Sequence, residues 1–569
     1  MADSSTTDTE RGSYSLGDLT NSTIQEFSWE GVTVTVKQLK SAGPKAILSN
    51  INGAVKAGKI QDGTQQPNGP INEIFAGELF AIMGPSGSGK TTLLNVLANR
   101  DASAKANIHR SLFVDGMTCF PQEFRQMSSY VEQEDALLGA LTVKETLSFA
   151  AKLSLSTSVS KTERIRRIEA LLVAVGLKRQ ENTLVGTPIR KGISGGQKRR
   201  LGVASALITS PKILFLDEPT SGLDSTASFE VMSYIRNVAK EHNLLVIASI
   251  HQPSTATFEL LDKLLLLSQG RTAYNGPVSD IRSYFESVGH KMPLYVNPAE
   301  FIIDLVNVDF LGAHRLNDTA FTGLLTAWEQ SEKSRAISSE RACTSVADKT
   351  QKRVDSGRGF ASRLKVPLVL VHRSLIKSSR DVFTYGVRVA MYLGLAIMMG
   401  TVWLRLSLEQ QNIQSFVNAI FFGGAFMSFM AVAYIPSYLE DRALYIKERA
   451  NGLYGPTAFM LANFITGMPF LLAIVVLFSL PAYFLTNFTP TATAFFCWIL
   501  YLFLDLLCAE SLVVLLSSLT PIFVVALALT AFANGLWMCV GGFLVPKDQL
   551  NVFWRYVFHY IDYQGYVFE

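Results

Sequence analysis

Hydrophobic positions follow two rhythms along this chain. Up to about residue 309, short apolar runs alternate with charged stretches of helical pattern; from Tyr385 onward, long apolar blocks follow one another. In the first part, alternation over residues 27–36 (Phe27-Ser28-Trp29-Glu30-Gly31-Val32-Thr33-Val34-Thr35-Val36) predicts a strand. One of its aromatics could stack on a nucleotide base, although packing on a sheet is the commoner fate. Leu79–Met83, residues 212–216 and residues 244–250 read as buried strands, and residues 93–97 and 141–177 as helices. Residues 59–70, polar and rich in Gly and Pro, predict a surface loop. In the second part five blocks, 385–404, 416–438, 460–484, 492–516 and 522–545, reach the ~20 apolar residues that a membrane-spanning helix needs.

Composition sharpens this division. At 569 residues the chain is too long for one core. A hydrophobic share of 48%, only 17% charged residues and a mean hydropathy of +0.23 point away from an ordinary soluble enzyme. The net charge of +4 is too small to argue for nucleic acid as a partner. Five cysteines, with Cys497, Cys508 and Cys539 inside apolar blocks, show neither a bridge framework nor metal-ligand spacing. Residues 1–23 are rich in Ser, Thr and Asp without the apolar core of a signal peptide.

Chemistry concentrates in a few stretches of the first part. Gly84-Pro85-Ser86-Gly87-Ser88-Gly89-Lys90-Thr91-Thr92 fits the P-loop pattern at every position, between an apolar run and a helical pattern. Glycines let successive backbone N–H groups turn inward on phosphate oxygens, and the following helix offers its positive end. Lys90 would reach the terminal phosphates, and the Thr91 hydroxyl would ligate Mg²⁺. Gln133 stands at a strand end, where its carbonyl could reach that metal. Gly192-Ile193-Ser194-Gly195-Gly196-Gln197 is a second Gly-rich turn opening a helix. Residues 212–216 end in Asp217, placed to hold Mg²⁺, and Glu218, placed to polarise an attacking water. Ser221-Gly222-Leu223-Asp224 follows, and His251 after the next strand could sense a γ-phosphate or be an ordinary core or surface histidine.

In this order the motifs resemble the nucleotide-binding domain of ATP-binding cassette proteins. The Ser-Gly-Gly-Gln element discriminates, since other P-loop ATPases lack it; here Ile193 precedes it where leucine is commoner, a volume-conserving change. The resemblance implies ATP and Mg²⁺ as cofactors, Glu218 as general base, His251 as γ-phosphate switch and Gln133 as metal and coupling ligand. It also implies that Ser194, Gly195, Gly196, Gln197 and Asp224 serve ATP held on the P-loop of an opposite subunit. Asn297-Pro298-Ala299-Glu300-Phe301 is similar to a segment that follows the cassette in the G subfamily, whose half-transporters carry the cassette first and the membrane domain second.

The expected organisation is multidomain: a disordered cytosolic tail (1–25), an α/β P-loop nucleotide-binding domain with a helical subdomain (26–310), a charged linker (311–362), an amphipathic connecting helix at the membrane surface (363–382), an all-α polytopic transmembrane domain (383–545) and the start of an outer loop (546–569). Arg373, Lys377 and Arg380 before the first span, and Arg442, Lys447 and Arg449 after the second, put both segments in the cytosol by the positive-inside rule. The turn after the third span, with the sequon Asn487-Phe488-Thr489, then lies outside. Residues 441–454 resemble the intracellular loop that carries cassette motion to the membrane helices. Phe422, Phe426 and Phe429 on the second span and Trp537 and Met538 on the fifth are the candidate contacts for a lipophilic substrate, in an arrangement the family builds between two subunits. Asp505 and Glu510, inside the fourth span, must face protein or water.

The reading that follows is a half-transporter of the plasma membrane, cassette in the cytosol, that pairs with a second half-transporter in the bilayer and exports lipids, sterols or drugs. Five spans against the family's six carry a second expectation: a truncated, transport-inactive or regulatory subunit that binds ATP and a partner.

Overall fold

A computed structural model describes residues 21, 23–37, 44–60, 74–100, 106–133, 136–155, 159–187, 190–307, 318–331 and 360–568. Most of the expected tail, residues 61–70 of the expected loop and most of the linker lie outside them. The chain divides into two compact units, Met1–Ser362 with Ala450–Leu453, and Arg363–Arg449 with Tyr454–Glu569.

In the first unit, β1 (Glu26–Lys37), β2 (Pro44–Lys56), β6 (Ala106–Val114) and β7 (Met117–Thr118) form an antiparallel sheet in the order β2-β1-β6-β7. A short ladder pairs β3 (Gly58–Ile60) with β4 (Ile74–Ala76), so Lys59 and Ile60 are strand residues and not the start of a loop. The central sheet runs β12-β11-β5-β10-β9-β8, built from β5 (Leu79–Met83), β8 (Ser128–Val131), β9 (Ile213–Asp217), β10 (Leu245–Ser249), β11 (Lys263–Ser268) and β12 (Arg271–Pro277). Its members are parallel except the edge strand β12.

Why strands this apolar stay together is visible in their two-residue period. Leu79, Ala81 and Met83 face a core with α2 (Val143–Ser154), α3 (Lys161–Ala174), α4 (Gly195–Leu207) and α5 (Ser225–His242). Phe80 and Ile82 face the opposite core with β1 and α1 (Lys90–Leu97). A parallel sheet covered on both sides needs apolar residues at every position. Phe27 and Trp29 are fully buried there, against Phe124 and Phe80, so packing is their fate and neither reaches a base. Trp29 lies over Gly53, where a Cβ would come within 2.2 Å of its ring.

The second unit is helical: α6 (Phe360–Arg380), α7 (Val382–Val402), α8 (Ile413–Met430), α9 (Ile435–Ala450), α10 (Pro456–Thr486), α11 (Ala492–Leu519), α12 (Phe523–Val540) and α13 (Tyr563–Phe568). Five helical stretches among the described residues are long and apolar enough to cross a membrane. The second does not stop near residue 438: helix continues from Gln410 to Ala450 through a 3₁₀ turn, Ala431–Tyr434, because residues 440–450 are good helix formers. The fifth ends at Val540, before Gly541 and Gly542, the latter at φ 91.

Two further features order this unit. The charged face of α6 is largely buried. Arg373 donates to both Glu448 oxygens at 2.6 and 3.0 Å, and Lys377 bonds Asp441 at 2.7 Å and Glu440 at 2.8 Å, while Leu368 and Leu375 on the same helix stay exposed. Burial alone would lower both basic pKa values; the facing carboxylates outweigh it and hold both above their ordinary range. Residues 554–559 and 563–568 are helical. The tail folds back on α12, with the Tyr563 hydroxyl donating to Asn534 Oδ1 at 3.0 Å and His559 Nδ1 lying 2.9 Å from the Val540 carbonyl.

Candidate active site

The P-loop leaves β5 and turns into α1 at Gly89, whose φ of 98 is open to glycine and strained for other residues. A Cβ there would also strike Leu48 Cδ2 at 2.7 Å. Lys90 folds back into the turn, donating to the carbonyls of Gly84 at 2.7 Å and Pro85 at 2.9 Å. Its burial lowers the ammonium pKa, against Glu218 and Asp217, which raise it. The Ser88 hydroxyl is buried in the same turn without a hydrogen-bond partner among the described residues.

Around this turn the ends of three parallel strands converge. Asp217, the last residue of β9, accepts from Thr91 Oγ1 at 3.2 Å, from Ser249 Oγ at 2.6 Å and from the Tyr130 hydroxyl at 3.1 Å. Ser249 in turn accepts the Glu218 backbone N–H at 2.8 Å. Glu218 itself sits at φ 44, a left-handed backbone that costs a non-glycine residue roughly 1–3 kcal/mol and tends to mark functional positions. Its Oε2 accepts from Gln133 Nε2 at 2.7 Å. His251 Nε2 lies 3.3 Å from Ser86 Oγ. Ser86, Gln133, Glu218 and His251 share the wall of an open cleft of about 540 Å³.

Sequence reasoning missed three of these participants. Tyr130, a buried residue of β8 with the Arg100 guanidinium 4.1 Å above its ring, supplies one bond to Asp217, and Ser249 supplies another. Arg199 on α4 donates to the backbone carbonyls of Glu132 and Gln133 at 3.0 and 2.5 Å, fixing the turn that carries Gln133. In sequence each is a single polar residue whose role its neighbours do not announce, although Tyr130 stands three residues before Gln133 and Arg199 two after Gln197.

The second Gly-rich turn has a different character. Ser194 and Gln197 close a capping box: Ser194 Oγ accepts the Gln197 N–H at 3.3 Å, and Gln197 Oε1 accepts the Ser194 N–H at 2.9 Å. A Cβ on Gly195 would meet Leu223 at 3.5 Å, and one on Gly196 would meet Ala227 at 3.4 Å, so their own chain scarcely requires glycine. Asp224 caps α5, accepting the Ala227 N–H at 2.7 Å. Asn451, in the same compact unit, accepts from Arg100 at 2.6 Å and donates to the Tyr130 carbonyl at 3.3 Å.

The donor set fits a nucleotide with its metal. An unpartnered buried hydroxyl and a lysine satisfied only by its own loop await an anion, and Thr91, Asp217 and Gln133 offer oxygen ligands of the kind Mg²⁺ prefers.

In the second unit the candidate aromatics fall into two groups. Phe422 stacks on Phe426 and on Trp403, with centroids 5.7 and 6.0 Å apart, while Phe429 is exposed. Trp537 packs against Phe558 of the tail at 6.4 Å, and Met538 beside it is half-buried. Asp505 accepts from Ser428 Oγ at 2.7 Å; Glu510 pairs with Arg388, a buried cation on α7 that the sequence reading passed over.

Residues 71–221 match the family described as ABC transporter, and residues 251–333 and 368–569 match two families described as ABC-2 type transporter. ABC transporter G family member 1 of Petunia hybrida is 35% identical over 552 residues, covering 95% of this chain and 83% of that protein. ABC transporter G family member 11 of Arabidopsis thaliana is 33% identical, covering 87% of this chain and 72% of that one. Among solved structures, a dimeric bacterial ABC transporter cassette is 24% identical over 44% of this chain and 98% of that one, with a TM-score of 0.35.

Proposed function

This chain belongs to the G family of ABC transporters and couples ATP hydrolysis to transport, and from that premise we propose how its residues divide the work. ATP lays its phosphates along Gly84, Pro85, Ser86, Gly87, Ser88, Gly89, Lys90, Thr91 and Thr92. Lys90 exchanges the Gly84 and Pro85 carbonyls for phosphate oxygens, and Ser88 gains the partner it lacks. Mg²⁺ held by Thr91, Asp217 and Gln133 would neutralise charge on the phosphates. Released by Gln133, the Glu218 carboxylate takes a proton from the attacking water. His251 leaves Ser86 for the γ-phosphate.

The turn Ser194 to Gln197, with Asp224 nearby, closes on ATP held by a second half-transporter, identical or related. Its glycines support this, since space inside their own chain hardly demands them. ATP binds the closed pair more tightly than the open pair, and that difference moves the membrane helices. The cassette works in the cytosol, the helices cross the plasma membrane, and the cargo is a lipophilic or amphipathic compound handled by Phe422, Phe426, Phe429, Trp537 and Met538.

The observation that carries the reading is the meeting of Thr91, Gln133, Asp217 and Glu218 at the strand ends. Inside-out vesicles carrying the chain are expected to accumulate a lipophilic dye only with ATP. ATP hydrolysis without accumulation would favour a regulatory subunit instead.

A further inference from the structure

A second cavity lies wholly within the helical unit, and it is built unlike the nucleotide cleft. About 290 Å³ in volume, it sits between α8, α10, α11 and α13, close to the lower end of the ~300–1,000 Å³ usual for small-molecule sites. Phe421, Phe488, Trp498 and Tyr501 supply aromatic walls. Tyr483, Thr489, Trp498 and Tyr501 bring polar atoms to the same space, and so do a carboxyl and an amide side chain, Asp505 and Gln564.

Both are buried, at 1% and 7% exposure, and both are left short of partners. Asp505 uses Oδ2 for the Ser428 hydroxyl at 2.7 Å, and its Oδ1 has no partner among the described residues. Neither atom of the Gln564 side-chain amide has a hydrogen-bond partner among the described residues, and the neighbouring Tyr563 hydroxyl donates to Asn534. Buried polar atoms without partners are costly and uncommon, and four of them around one space, Asp505 Oδ1, both Gln564 side-chain atoms and Trp498 Nε1, call for a ligand that answers most of them.

We propose that this cavity is a binding site, inside a single copy of the chain, for a small apolar compound bearing one hydroxyl group. A hydroxyl is the matching head because it both donates and accepts. Its hydrogen goes to Asp505 Oδ1, its oxygen takes the Gln564 N–H, and the aromatic walls enclose the apolar body. A hydroxyl, with one hydrogen and two lone pairs, can answer Asp505 Oδ1 and both N–H groups, of Gln564 and Trp498; a purely apolar guest leaves all four atoms unpaired, and a cationic amine, which accepts nothing, leaves both N–H groups unanswered. The site goes beyond the transport reading, since a chain that never transported would still bind such a compound.

The test uses the full chain in lipid nanodiscs, with matched probes that share one body: 1-naphthol, naphthalene and 1-naphthylmethylamine. Equilibrium dialysis is expected to show one saturable site per chain for 1-naphthol, with naphthalene at least about tenfold weaker. Gln564→Leu is expected to weaken 1-naphthol about fivefold or more and leave naphthalene unchanged. Ala494→Phe, which fills the cavity from its wall, should remove saturable binding of both and serves if the first variant does not fold. Equal binding of 1-naphthol and naphthalene, or tightest binding of the amine, overturns the proposal. So does the absence of any saturable binding, which would leave water as the occupant.

Discussion

The nucleotide site and the helical unit manage buried polar groups in opposite ways. In the cassette two hydroxyls and a phenol gather on Asp217 and an amide on the adjacent Glu218, whose own backbone N–H donates to Ser249. Asp217 accepts three bonds, so any one partner can be exchanged for a ligand without leaving a bare charge; Glu218 accepts one, from Gln133, on the wall of an open cleft where water can replace it. In the helical unit charges meet in small closed groups: Arg373 with Glu448 and the Tyr454 hydroxyl, Lys377 with Asp441 and Glu440, Arg388 with Glu510. Removing Arg373 or Arg388 leaves a buried carboxylate without its counter-charge. A site that must change partners during a cycle is built redundantly, whereas a scaffold that must keep one geometry is built from committed couples.

The largest effect expected from breaking this contrast falls on a committed couple. Arg373→Ala should destabilise the helical unit by about 3–5 kcal/mol, because Glu448 stays buried without a counter-charge and keeps only the Tyr454 hydroxyl. The double variant Arg373→Met with Glu448→Met should recover most of that loss. Thermal unfolding of both variants decides the matter, and equal losses would show that the helices hold without the pair.

A smaller effect is expected where bonding is redundant. Tyr130→Phe removes one of three bonds to Asp217, worth about 1 kcal/mol. The Mg²⁺ concentration for half-maximal ATP hydrolysis should rise about fivefold with the maximal rate nearly unchanged. A collapse of the maximal rate would mean that Asp217 depends on the phenol as Glu448 depends on its arginine.

The smallest effect concerns pH. His242, buried at the end of α5 with neither ring nitrogen bonded among the described residues, has its imidazole pKa lowered by burial. Below the ordinary value of about 6.5 the unfolded chain binds this proton more readily than the folded one, so stability is lost as pH falls. Between pH 7 and 5.5 the cassette should lose up to about 1 kcal/mol through this residue. His242→Gln should shrink the corresponding drop in Tm; an unchanged drop would assign it to other groups.

The same contrast governs what could be read in advance. The P-loop, the Ser-Gly-Gly-Gln turn and the Asp217-Glu218 pair are legible because each packs its chemistry into consecutive residues whose backbone does part of the work. Tyr130 and Ser249 were not legible, since they reach Asp217 from 87 and 32 residues away and carry no local pattern. Arg388 was hidden for the same reason: Glu510, flagged as an acid in an apolar block, lies 122 residues further along. The apolar blocks announced the membrane helices but not their ends. Helix-forming charged residues carried the second past the apolar stretch, and a glycine pair stopped the fifth inside it. The β1 aromatics were read correctly on the packing side because an alternating strand must bury one face.

The central claim is that Glu218 activates the water that cleaves ATP. Measuring ATP binding and steady-state hydrolysis of Glu218→Gln tests it most directly: affinity within about twofold of the parent and turnover lower by roughly 10²–10⁴-fold are predicted. Turnover at the parent rate with affinity intact would contradict it.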